Sequence, residues 1–160
     1  MLVKFLNRYA KEGTNIAQVG AHFGQELELI IKCSFKEIYL FEPIKSNVDE
    51  LYKRTKSIKN IKIFPIALGN KNTQTKINIS FNNDGQSSSL LQPELHLKLQ
   101  PNITFKQEAL IDLKRFEDLN LKVNFLIIDV QGYELEVLKG FGKKLENVDY
   151  IFTEVNRDYL

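Results

Sequence analysis

The sequence predicts an α/β domain in which flanking helices cover a mostly parallel sheet. Three observations predict it. Short apolar runs alternate with helical repeats up to about residue 67 and again after residue 124, and such alternation implies parallel strands joined by right-handed crossovers. The apolar run Phe125-Leu126-Ile127-Ile128 stops abruptly on Asp129. A buried strand gains no stability from a carboxylate at its tip, because desolvating the charge costs free energy unless something pairs with it. Finally, the run before Gly20 ends in Gly-x-x-x-Gly, a turn from strand into helix that lets backbone approach a ligand.

In chain order, Asn15 to Val19 (NIAQV) is the first strand, and a helix from about Gly24 to Cys33 follows, with Leu27, Ile30 and Ile31 on its apolar side. Lys36 to Phe41 (KEIYLF) is the second strand. Ser46 with Asp49 three residues later reads as a capping box for a helix running to about Lys56. Ile61 to Ala67 (IKIFPIA) is the third strand, ending in a Gly69-Asn70 turn. The middle differs: Thr75 to Phe81 alternates as a half-exposed strand does, and Asn82 to Ser89 (NNDGQSSS) is a polar loop. A strand over Asn102 to Leu110 and a short helix over Asp112 to Leu119 come next. Then follow a strand over 124–129, a helix from about Glu134 to Lys139 stopped by Gly140 and Gly142, and a strand over 149–155 (DYIFTEV).

The bulk numbers narrow the class. A chain of 160 residues is most simply one domain, residues 1–160, large enough to bury a core. Its 22 Lys+Arg against 20 Asp+Glu leave a net charge of +2, far from the basic bias of a nucleic-acid binder. Cys33 is the single cysteine, so an internal disulfide is excluded and a reduced core thiol expected. No apolar stretch approaches the roughly 18 residues of a membrane span, and the N-terminus lacks a signal-peptide core. The expectation is a cytoplasmic protein with no membrane and no nucleic-acid partner.

In an open parallel sheet, ligands sit outside the carboxyl ends of the strands, where the strand order reverses. The five predicted tips end in Gly20-Ala21-His22-Phe23-Gly24, Glu42, Ala67-Leu68-Gly69, Asp129 and Glu154, so three carry an acid. Glu42 lies 22 residues after Gly20, near the spacing at which an acid reaches ribose hydroxyls in a nucleotide-binding unit. His22 stands where a dinucleotide fingerprint needs a glycine, Glu26 and Glu28 oppose phosphate in the first helical turn, and no phosphate-loop motif occurs. A ligand with a ribose but no phosphate fits better, and S-adenosylmethionine is the commonest; its positive sulfonium suits a rim of carboxylates.

The segments GAHFGQ, LFEP, ALGN, QSSSLL, IDVQGYELEVLKG and TEV, in this order and spacing from about Ile16 to Val155, resemble the FkbM-type family of S-adenosylmethionine-dependent methyltransferases. The resemblance implies a Rossmann-like class I methyltransferase fold and methyl transfer, usually to a hydroxyl of a sugar or small metabolite. It implies that Gly20, Ala21 and Gly24 line the methionine portion, with His22 in the same loop. Glu42 would hold the ribose hydroxyls, Ala67 and Leu68 would border adenine, and Asp129 would face the methyl-transfer end.

Three positions depart from the family pattern. Gln18 stands where most relatives carry an acid, Gln131 where they commonly have Glu, and the chain stops five residues after Val155. The C-terminal helix and antiparallel strand pair of that fold are therefore expected to be missing. A truncated piece, a partner or second copy over the strand-five edge, and a naturally short protein all remain open, since a bare edge is an aggregation liability.

Methyl transfer also needs a base for the acceptor proton. Asp129 is the first candidate, as base or as a ligand of a metal holding the acceptor; a capping acid for the following helix is the structural alternative. His96 is the second candidate, since histidine titrates near neutrality. Ser88 and Ser89 in a lid, and Glu154, are candidate acceptor contacts. Phe23, Phe41 and Tyr133 lie near the tips, and core or rim packing explains each. Two other classes remain: a nucleotide-binding oxidoreductase, disfavoured by His22 and the acidic first turn, and a non-catalytic cofactor-binding or assembly subunit.

Overall fold

The computed structural model describes residues 1–80 and 105–154. In chain order its elements are α1 (Leu2–Tyr9), β1 (Asn15–Val19), α2 (Leu27–Ile31), β2 (Glu37–Phe41), α3 (Lys45–Thr55), β3 (Ile61–Phe64), β4 (Ala67–Leu68), β5 (Thr73–Ser80), β6 (Phe105–Lys114), β7 (Phe125–Ile128), α4 (Glu134–Phe141) and β8 (Tyr150–Thr153). Short 3₁₀ turns follow β6 at Phe116–Asp118 and α4 at Gly142–Asn147.

Five strands form one parallel sheet in the order β3-β2-β1-β7-β8, so the fold is the α/β architecture the sequence predicts. The order reverses between β1 and β7, the place where such sheets bind ligands. Both faces are covered, which is why the central strands read as continuous apolar runs. Side chains alternate between the faces: Ile16, Ile38, Leu40, Phe125 and Ile127 pack with Leu6, Leu27, Ile30 and Leu51 of α1, α2 and α3. Ala17, Val19, Phe41, Leu126 and Ile128 pack with Phe116 and with Val137 and Phe141 of α4. Each large side chain so buried contributes about 1.5–3 kcal/mol relative to exposure.

β4, β6 and β5 form a second sheet, with β6 antiparallel to β5 and parallel to β4. The third predicted strand therefore splits. Pro65 supplies no backbone N–H, the Ile66 N–H turns back to Phe64 O at 2.8 Å, and Ala67–Leu68 crosses to the second sheet. The predicted helix over Asp112 to Leu119 is corrected likewise. Leu110 is 67% exposed while Ile111 and Leu113 are 6% and 1%, a period of two that keeps β6 extended to Lys114, and only Phe116–Asp118 turns.

Two capping expectations also fail. Ile44, not Ser46, is the N-cap of α3, and its side chain makes no capping bond; Asp49 instead pairs with Lys45 at 3.2 Å. Gly140 lies inside α4, where a Cβ would stand 1.9 Å from Gly69 O, so it is a close-packing glycine, and Gly142 ends the helix. Helix α1 had no counterpart among the predicted elements. Its Phe5 packs on Phe125 and Phe152 and its Tyr9 stacks on Tyr150 at 4.8 Å, covering β7 and β8. Among the described residues no helix is long and apolar enough to cross a membrane.

Candidate functional site

The carboxyl ends of β1, β2 and β7 open into one cavity of about 370 Å³, closed on its far side by Ala67, Leu68 and Ile77 of the second sheet. That volume is within the range of small-molecule sites. The predicted residues Gly20, His22, Glu42, Ala67, Leu68 and Asp129 all border it.

The turn after β1 is built on backbone. Gly20 N–H and Ala21 N–H both donate to Phe41 O at 3.0 Å, tying the β1 tip to β2. Gly20 has φ +81°, and a Cβ there would meet Asp129 O at 1.9 Å, so only glycine lets the β1 and β7 tips approach this closely. Ala21 and Gly24, expected at the ligand, do not line the cavity: Ala21 is fully buried in the core, and Gly24 faces Leu27 and Leu51. They shape the turn from behind.

Glu42 is 4% exposed, and the chain folds around its carboxylate. Oε1 accepts from Ile44 N–H at 2.9 Å and Asn47 Nδ2 at 3.2 Å, while Oε2 accepts from His22 N–H at 2.9 Å. Burial raises the pKa of this carboxyl, and the three donors offset only part of that rise. Oε1 has both lone pairs engaged; Oε2 retains one. The acid thus starts α3, holds the β1 loop, and keeps one acceptor position free.

Asp129 ends β7 differently. Its N–H donates to Val19 O at 3.0 Å, and its side chain opens to the cleft. Gln131 Nε2 donates to Oδ1 at 2.7 Å, from a residue held at φ +54°. The surrounding protein raises the Asp129 pKa, Gln131 lowers it, and Glu26 and Glu134 raise it further. Glu134 Oε1 accepts from Val130 N–H at 3.2 Å and Gly132 N–H at 3.0 Å, so the helix-side acid, not Asp129, caps this turn.

His22 sits between the two acids at φ +49°, a conformation histidine adopts more readily than most residues. Gln25 Nε2 lies 3.0 Å from His22 Nδ1, with donor and acceptor roles set by the ring's tautomer. Tyr133 and Phe41 also border the cavity, whereas Phe23 does not and rests against the His22 ring. Sequence reasoning did not assign Glu26, Gln25, Ile44 and Ile77 to the site. The acid in the first helical turn was the available signal for Glu26; the apolar pair is placed by tertiary packing alone.

Glu154, expected among the acceptor contacts, lies exposed just beyond β8 and does not border this cavity. His96, Ser88 and Ser89 lie outside the described residues. Among the described residues no group of three or more His, Cys, Asp or Glu is arranged to hold a metal ion.

Comparison with known proteins places this geometry in a family. The family model of the methyltransferase FkbM domain matches residues 18–159. The 2-O-methyltransferase NoeI of Sinorhizobium fredii is 22% identical over 151 residues, 87% of this chain, and the chain spans only 62% of that relative's length. Among solved structures, methyltransferase FkbM from Methylobacillus flagellatus KT superposes with a TM-score of 0.55 at 16% identity, over 89% of this chain and 36% of that one. An rRNA methylase from Streptococcus thermophilus gives 0.50 at 11% identity, over 92% of this chain and 63% of that one. These structures share the Rossmann-like fold.

Proposed function

The chain belongs to the methyltransferase FkbM family, and from that premise we propose that its cavity binds S-adenosylmethionine for O-methylation of a sugar or small hydroxylated metabolite. The observation that carries the reading is charge. Glu26, Glu42 and Asp129 border the cavity, and among the described lining residues there is no lysine or arginine. Such a site attracts a cation and repels the phosphates of a dinucleotide. The acceptor class draws on the 2-O-methyltransferase relative, of which the chain spans 62%.

The residues present fit the group. The free lone pair on Glu42 Oε2 suits one ribose hydroxyl, and the glycine at position 20 keeps the loop backbone close to the β7 tip. Ala67, Leu68 and Ile77 offer the apolar wall an adenine needs. Bound there, S-adenosylmethionine supplies an electrophilic methyl group on a positively charged sulfur. In this reading Asp129 is the residue that would take the proton of the acceptor hydroxyl. The same neighbours that raise its pKa make Asp129 a stronger base than a surface aspartate. Gln131 keeps it oriented, by holding Oδ1 and leaving Oδ2 for the proton.

Incubation with methyl-labelled S-adenosylmethionine and a panel of hydroxylated sugars tests the proposal. Label should appear on a hydroxyl oxygen of one acceptor class. Cofactor binding without transfer to any hydroxylated acceptor would instead identify a non-catalytic binding subunit.

A further inference from the structure

We infer that Glu26 is the carboxylate that receives the ammonium group of the adenosyl ligand, and that Gln18 is its positioning residue. The inference rests on the reading of the cavity as an S-adenosylmethionine site, and its test separates the two.

Gln18 is the anomaly that leads there. It lies mid-sheet on β1, paired with Leu40 and Ile127, on the face that Ile16 fills with apolar contacts, and is 2% exposed. A carboxamide at such a place costs stability unless all its polar atoms are satisfied. They are not. Nε2 donates to Glu26 Oε2 at 3.0 Å, while Oε1 is buried without a partner among the described residues. Turning the amide over would set Oε1 against the carboxylate, acceptor on acceptor, so the observed orientation is the one an ionised Glu26 requires. The fold keeps an orphaned acceptor in its core in return for one bond, and that bond fixes Glu26.

Glu26 in turn borders the cavity, and among the described residues no cation pairs with it. Its charge and that of Asp129 act on each other across the same space. Two like charges facing one cavity favour a cation between them. An ammonium and a sulfonium both carry that charge, but only the ammonium brings N–H donors. A carboxylate whose Oε2 is already fixed by an amide presents Oε1 in a set direction, which a donor uses and a sulfonium does not.

The test uses two probes, S-adenosylhomocysteine and 5′-methylthioadenosine, which share the nucleoside and thioether while only the first has the ammonium-bearing end. Calorimetric titration of wild type, Glu26→Gln and Gln18→Leu with both compounds is the experiment. Glu26→Gln should weaken S-adenosylhomocysteine about ten- to a hundredfold, the worth of a charge-assisted bond, and leave methylthioadenosine within about twofold. Gln18→Leu should weaken S-adenosylhomocysteine in the same selective way while its melting temperature stays level or rises, because the orphaned oxygen is gone. Equal loss of both probes, or no loss of either in Glu26→Gln, overturns the inference with the cavity assignment intact. Failure of wild type to bind either probe overturns the cavity reading itself, and this inference with it.

Discussion

The tips of β2 and β7 each end an apolar strand on an acid, and the protein treats the two acids in opposite ways. Glu42 is enclosed by three donors that belong to the chain, from His22, Ile44 and Asn47. Asp129 opens to the cleft with one amide on Oδ1 and other carboxylates nearby. Burial raises the pKa of both. At Glu42 two backbone N–H groups and the Asn47 amide offset part of that rise and fix the carboxylate in place. At Asp129 a single amide lowers the pKa while neighbouring carboxylates raise it further, and the open side chain has room to take a proton. Under the proposed function, the same residue class at equivalent strand ends serves as a structural binder at β2 and a reactive group at β7. The Gly20 loop couples them, because it bonds to Phe41 O on one side and packs on the Asp129 carbonyl on the other.

The largest expected effect breaks the reactive side. Asp129→Asn keeps the acceptor for Gln131 and removes the base, so turnover should fall about 10²–10⁴-fold, with stability changed by about 0.5 kcal/mol or less. Rate assays paired with chemical denaturation check this. The folded-state pKa of Asp129 lies above its ordinary value, so the folded chain holds the proton more tightly than the unfolded one. Wild type should therefore lose stability relative to Asp129→Asn as pH rises from the unfolded pKa through the raised folded one. A difference that grows in the other direction refutes the account of this tip.

Next comes the binder. Glu42→Ala strands the N–H groups of His22 and Ile44, and a buried donor without a partner costs about 1–3 kcal/mol. The urea midpoint should drop by the equivalent of about 2–4 kcal/mol, several times the change at Asp129. Equal, small changes at both tips would erase the distinction drawn between them.

The smallest effect sharpens it. Gln131→Gly removes the amide and relieves the positive φ at that position. Since the amide lowers the Asp129 pKa, its loss should move the acid limb of the pH–rate profile to higher pH. An unmoved limb would mean that Gln131 does not touch the working carboxylate.

Much of this was legible in the sequence, and the reasons are physical. Strands buried on both faces must be apolar throughout, so NIAQV, KEIYLF and FLII declared themselves, and an acid ending such a run had no packing explanation. Gly20 and Glu42 followed from the geometry of a strand-to-helix turn. What stayed hidden depends on contacts between distant residues. The Gln18–Glu26 bond is set by how tightly the turn folds back, and the split at Pro65 by a second sheet whose partner strand lies some 45 residues on. Over 111–119, the Ile111–Leu113 spacing suits a strand and the Leu113–Phe116 spacing a helix, and the register with β5 decides for the strand. Ser46 looked like a cap because the pattern is local; Glu42, one residue before a proline, took part of that role from outside the helix.

Calorimetric titration with S-adenosylhomocysteine, against NAD as control and with Glu42→Gln alongside Glu42→Ala in case the latter unfolds, tests the central claim most directly. The account predicts micromolar binding of S-adenosylhomocysteine, none of NAD, and at least tenfold weaker binding in whichever Glu42 variant is folded. A folded wild-type chain that binds NAD, or that binds neither compound, would contradict it.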